Sequence, residues 1–171
     1  MFIYTSNELA KKEAAIDARP DLTKEEKDAA KKEAQDKAKE ATDAINAQPD
    51  NAETPEAAVT AQTAVNDAKD KGVADVKAVN PEAVKKPAAK KAIDDALTAK
   101  NNAINARDDL TPEQKTAAKE AAKSKADAAK DAIDKATTED GINSAKDKGK
   151  LAIEKEVAIT AINAEKTAKE K

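Results

Sequence analysis

Chemistry in this sequence could come only from carboxylates, ammonium groups and hydroxyls, because the chain has no His, no Cys and no Trp. Their absence removes the imidazole base, the thiolate nucleophile, the disulfide and the usual zinc sites. Two acidic clusters remain as candidates, Asp17 with Asp21 and Asp108 with Asp109. Calcium would need about six to eight oxygens at set loop positions, and neither cluster has that spacing, so both read as turns at helix ends. Paired carboxylates for acid and base work would need a pocket that perturbs them, and lean helices leave no volume for one. The sequence therefore predicts no enzyme, no catalytic residue, no cofactor and no metal. Lys and Arg total 31 against 34 Asp and Glu, and the basic residues are interleaved with acids. No footprint for nucleic acid results. No apolar run approaches the roughly 20 residues that would cross a membrane.

The elements that must position these side chains are helices. Alanine, the best helix former, occurs 42 times in 171 residues. Val, Ile, Leu and Phe together number 23, a level that would favour disorder if the net charge were large, but it is only −3. Folded helices with a thin apolar stripe are the expectation. Thr23 with Glu26, and Thr111 with Gln114, read as capping boxes, with Pro112 at the first helical position. Thr54 with Pro55, and Asn80 with Pro81, read as the same start device without the box. Thr137 or Thr138 caps the last helix. These signals predict helices over 6–18, 24–47, 55–79, 82–106, 112–136 and 138–169, and Pro87 either kinks the fourth helix or marks its true start. Ala30, Ala34, Ala38, Ala41 and Ile45 step by helical spacing, as do Ala118, Ala122, Ala126, Ala129 and Ile133. The third helix carries Ala61, Val65, Ala68, Gly72, Val76 and Val79, and the fourth Ala89, Ile93, Ala96, Leu97, Lys100 and Ile104.

The two alanine series belong to an internal repeat. Residues 9–45 match 97–133 at an offset of 88, and the Ala-Lys-Asp-Lys-Gly runs ending at Gly72 and Gly149 match at an offset of 77. The first copy thus carries 11 extra residues between Ile45 and Ala68. The expected domains are 1–79, with a short first helix, and 80–171, with an extended last one. Gly72 and Gly149 fall inside helices, where glycine costs about 1 kcal/mol relative to Ala, so close helix packing is their predicted use. An odd number of helices per copy lets the chain enter at one end and leave at the other. The predicted fold is all-α: tandem three-helix bundles, up-down-up, stacked end to end into an elongated rod of roughly 75 Å.

Three stretches, Ile16-Asp-Ala-Arg-Pro-Asp-Leu-Thr23 with Glu25-Glu-Lys27, Val79-Asn-Pro-Glu-Ala-Val84 and Lys90-Lys-Ala-Ile-Asp-Asp95, resemble the domain of unknown function 1542 repeats. The resemblance runs from about residue 7 to about residue 155. Such repeats form arrays in cell-wall-anchored surface proteins of Gram-positive bacteria, including matrix-binding adhesins linked to biofilm. The resemblance implies an extracellular, cell-surface location, with anchoring through a region outside this sequence. It also implies a stalk that projects a distal adhesive region from the wall, and it brings no catalytic or ligand residues. A lack of Cys suits such a surface as well as a reducing compartment.

The leading expectation is a monomeric structural spacer whose partners are neighbouring repeats of the same chain, with no nucleic acid and no membrane. The alternative is a three-helix binding module for host extracellular-matrix or serum proteins. It would need an exposed patch of large side chains, where the sequence offers mostly Ala and charge. A disordered protectant shares the composition, but the caps and the Asn80-Pro81 step argue against it. Met1, Phe2, Ile3 and Tyr4 read as an end cap rather than an adhesive patch.

Overall fold

In the computed structural model, residues 3–49 and 53–169 are described, with the side chains of 3–5, 157–165 and 167–169 left aside. Six helices fill this span: α1 (Ile3–Asp17), α2 (Lys24–Asn46), α3 (Pro55–Ala78), α4 (Lys85–Asn105), α5 (Pro112–Lys135) and α6 (Glu139–Lys169). There is no strand among the described residues, so the chain is all-α. Met1 and Phe2, and the side chains of Ile3 and Tyr4, lie outside the described residues.

The chain divides into two units, Met1–Glu82 and Ala83–Lys171. The boundary expected after Val79 moves to Glu82 for a local reason. Val79 is buried, and Asn80 Oδ1 accepts from the Arg19 guanidinium at 3.5 Å, so these residues belong to the first unit. In each unit every helix packs on the other two. Cross-helix pairs give their directions. Lys85 meets Glu139 and Lys100 meets Glu154, so α4 and α6 run parallel. Lys90 meets Asp134 while Asp94 meets Lys130, so α5 runs against α4. In the first unit Gln35 meets Glu13 and Lys31 meets Asp17, which makes α2 antiparallel to α1.

Alanine supplies much of the core. Ala30, Ala34, Ala38 and Ala41 of α2 are buried, as are Ala118, Ala122, Ala126 and Ala129 of α5. Larger side chains complete the core: Ile16, Leu22 and Val76 in the first unit, Ile93, Ile104, Leu110, Ile133, Ile142 and Ile153 in the second, with Ile93 and Ile153 packed among Ala122, Ala126 and Ala129. Small core residues allow helix axes to approach toward about 8 Å, where backbone contact substitutes for side-chain volume.

The start of the fourth helix corrects the expectation. It begins at Lys85, not near residue 82, and Val84 precedes it without a side-chain cap. Pro81 therefore heads no helix, whereas Pro87 falls in the first turn of α4, where its missing N–H would have had no intrahelical partner. Among the described residues no helix is long and apolar enough to cross a membrane.

Candidate functional site

The most specific side-chain chemistry among the described residues falls at the helix ends, because helices this lean in apolar side chains must satisfy their terminal backbone groups without a large core to hold them. Each helix leaves about four amides and four carbonyls unpaired at its ends. At the N-termini the solution is local. Thr23 Oγ1 accepts from Glu26 N at 3.1 Å while Thr23 N donates to Glu26 Oε2 at 2.8 Å. Thr111 and Gln114 repeat the pattern at 3.3 and 2.9 Å, with Pro112 at the first turn. Thr54 accepts from Ala57 N at 3.1 Å ahead of Pro55. At the last helix the cap is Thr138, whose hydroxyl accepts from Gly141 N at 3.1 Å.

At the C-termini the solution is long-range. No described residue, glycine included, has a positive φ, so the left-handed glycine cap is not used. Lysines from neighbouring helices take its place. Lys27 of α2 donates to Asp17 O at the end of α1 at 2.8 Å, and Lys115 of α5 donates to Asn105 O at the end of α4 at 3.0 Å. Lys86 is buried and donates to Asp134 O at the end of α5 at 2.7 Å. Lys12 of α1 donates to Lys77 O at 2.6 Å and Val79 O at 2.9 Å at the end of α3. Each ammonium brings positive charge to the negative end of a helix dipole as well as a donor.

The turns between the first and second helices of each unit are also matched. Arg19 grips Asp21 through two hydrogen bonds of 2.8 and 2.6 Å, and Arg107 grips Asp109 in the same way. The Arg107 contact is the main reason the Asp109 carboxyl falls from its ordinary value to about 2. Arg107 is raised in turn, first by the same hydrogen bond. The acidic clusters thus serve turns, and no group of three metal-capable side chains occurs among the described residues. On the exposed faces Lys37 pairs with Glu40 and Lys123 with Asp127, at helical spacing.

Gly149 sits where α6 crosses α5 and α4. A Cβ there would fall inside the radius of the Ala129 methyl and lie 3.0 Å from Ile93 Cδ1. Gly72 is buried in α3 and lines a groove of about 160 Å³ with Ala41, Ala44 and Ala68. Gly141, which sequence reasoning passed over, would place a Cβ 3.2 Å from the capping hydroxyl of Thr138. The lysines that cap carbonyls were also missed, since each reads as part of a solvated face. The available signal was the repeat itself: Lys12 with Lys100, and Lys27 with Lys115, keep the offset of 88. One larger groove, about 510 Å³, lies between α4 and α6 over Ala92, Ala96, Ala99 and Ala103.

Residues 85–161 match the model of a family described as Domain of Unknown Function (DUF1542). The match opens at the first residue of α4 and closes within α6, so it spans the three helices of the second unit. Neither the curated proteins nor the solved structures gave a match.

Proposed function

We propose that this chain is a non-enzymatic spacer segment of a bacterial cell-surface protein, two three-helix bundles stacked end to end that hold a distal adhesive region away from the wall. The observation that carries the reading is the repetition of end chemistry. Thr23 and Thr111, Lys27 and Lys115, and Arg19 and Arg107 make the same kinds of bond in both units. A chain that repeats its helix ends while letting its exposed faces vary repeats a framework rather than a binding surface. The match of the second unit to a repeat domain type found in surface proteins supports the same reading. By internal similarity the first unit is a second copy of that domain. Its partners are then neighbouring repeats, and the fragment is a monomer that needs no cofactor, nucleic acid or membrane.

Small-angle X-ray scattering on the dilute chain tests this. Two bundles of 25-residue helices laid end to end give a maximum dimension of roughly 75 Å or more with a rod-like cross-section. A compact particle, with the bundles side by side, would overturn the stacked spacer and favour a composite binding surface, the matrix-binding alternative.

A further inference from the structure

The geometry points to a latent break in α6: the helix can end after Glu156 at little cost, because the donor that caps the broken end is already in place. The first unit shows how such an end is built. In a continuous α-helix the Lys77 carbonyl would take the amide of residue 81, but that residue is Pro81 and has none. The helix stops at Ala78, Val79 turns extended at φ −58° and ψ 113°, and the Lys12 ammonium supplies the donor that proline withholds.

The second unit holds the same parts in the same places. The counterpart of Lys12 is Lys100, which donates to Glu154 O at 2.5 Å, and Glu154 is the counterpart of Lys77. Only the proline differs, since Ala158 stands in the position of Pro81. The helix therefore runs on to Lys169, and Glu154 O receives both its intrahelical amide and the Lys100 ammonium. A lysine capping a carbonyl in mid-helix is surplus to that helix. It becomes necessary only when the helix ends there. The chain beyond residue 157 can thus leave the unit as a continued helix or turn away as the first unit does, with Lys100 serving both states. Glu156, at the place of the buried Val79, is itself buried, so the last turn before the break stays seated in either state.

The test is a double-mutant cycle in the full chain, read by amide hydrogen exchange along α6. Ala158→Pro should release protection beyond residue 157 and leave residues 142–153 within about threefold of the parent. Lys100→Met alone should change protection there equally little. The two together should lower protection over residues 149–156 by about tenfold or more, well beyond the product of the single effects. Lys12→Met is the control, and should lower protection at the end of α3 in the unmodified background because Pro81 is already present. The inference is overturned if Ala158→Pro alone strips residues 142–153, if Lys100→Met costs the same in both backgrounds, or if Lys12→Met leaves the end of α3 unchanged.

Discussion

Ile45 and Ile133 hold the same place in the repeat, yet Ile133 is sealed from solvent and Ile45 is only half-buried. Val65 and Ile142 differ in the same sense, half-buried in the first unit and buried in the second. The cause lies in helix length. α4 begins at Lys85, and its first turns bring buried Lys86 and Ala89 over the end of α5. Meanwhile α3 starts seven residues ahead of the position where α6 starts, and that added stretch leaves Val59 67% exposed. The 11 added residues thus lengthen the α2–α3 connection and α3 without a matching gain in α2. Matching capping boxes on α2 and α5 can therefore frame units that are filled to different degrees.

The reverse imbalance occurs at one polar position. Glu13 accepts from Gln35 at 2.6 Å, but the counterparts are Asn101 and Lys123, and Lys123 turns to Asp127 instead. Asn101 Oδ1 is left buried without a partner. A more complete apolar core in the second unit accompanies a less complete polar seam.

The sharpest way to break this comparison is to truncate the paired isoleucines. Ile133→Ala should destabilise the second unit by about 2–5 kcal/mol, and Ile45→Ala should cost the first unit less than half as much. Urea denaturation of the full chain, with the transitions assigned to units by amide exchange, reads both; equal losses would mean the exposure difference has no energetic counterpart. The paired glycines come next. Gly149→Ala forces a methyl against Ala129 and Ile93 and should cost about 1–3 kcal/mol. Gly72→Ala should cost less, because a groove lies alongside Gly72. The paired caps should differ more modestly. Thr23 is fully buried and Thr111 exposed, so Thr23→Ala should lose toward 2 kcal/mol and Thr111→Ala nearer 0.5 kcal/mol, measured as shifts in thermal midpoint.

The smallest effect is one of pH. A carboxyl whose folded pKa is depressed stabilises the fold above its unfolded value and loses that contribution as pH falls through the folded one. For Asp109 the window runs from about 4 down to about 2. Arg107→Gln should narrow that window, seen as a second-unit acid transition less steep between those limits. No change on removing the guanidinium would show that the turn is held by its backbone alone.

The N-terminal caps were legible in the sequence because their chemistry is local: Thr followed three residues later by Glu or Gln can be read without knowing the fold. The start of α4 was legible only as one of two options, since Pro87 read as either a kink or the true start. Asn80-Pro81 carries the same local signal as Thr54-Pro55, but Val79 and Asn80 are taken by Lys12 and Arg19 of the preceding unit, a competition visible only in three dimensions. The C-terminal caps were hidden for a related reason, since their donors come from other helices, 10 residues away for Lys27 and 65 for Lys12. The resemblance read from residues 7–155 is matched by a family model over 85–161, which includes the Lys90–Asp95 stretch of the second copy.

The alanine series has a consequence for alignment. Moving α5 by one turn along its neighbours puts Ala122 where Ala118 was and Ala126 where Ala122 was, so the first half of the series barely distinguishes one alignment from the next, and only beyond it does Lys130 come to the buried place of Ala126. A larger side chain would clash or leave a hole; a methyl replaced by a methyl does neither. The choice among sliding alignments is then made toward the ends, by Lys130 and Ile133 in the second half of the series and by ammonium groups that find a carbonyl in only one alignment. Such a helix is keyed at its ends and smooth between them, and its middle can change in sequence without changing where it docks.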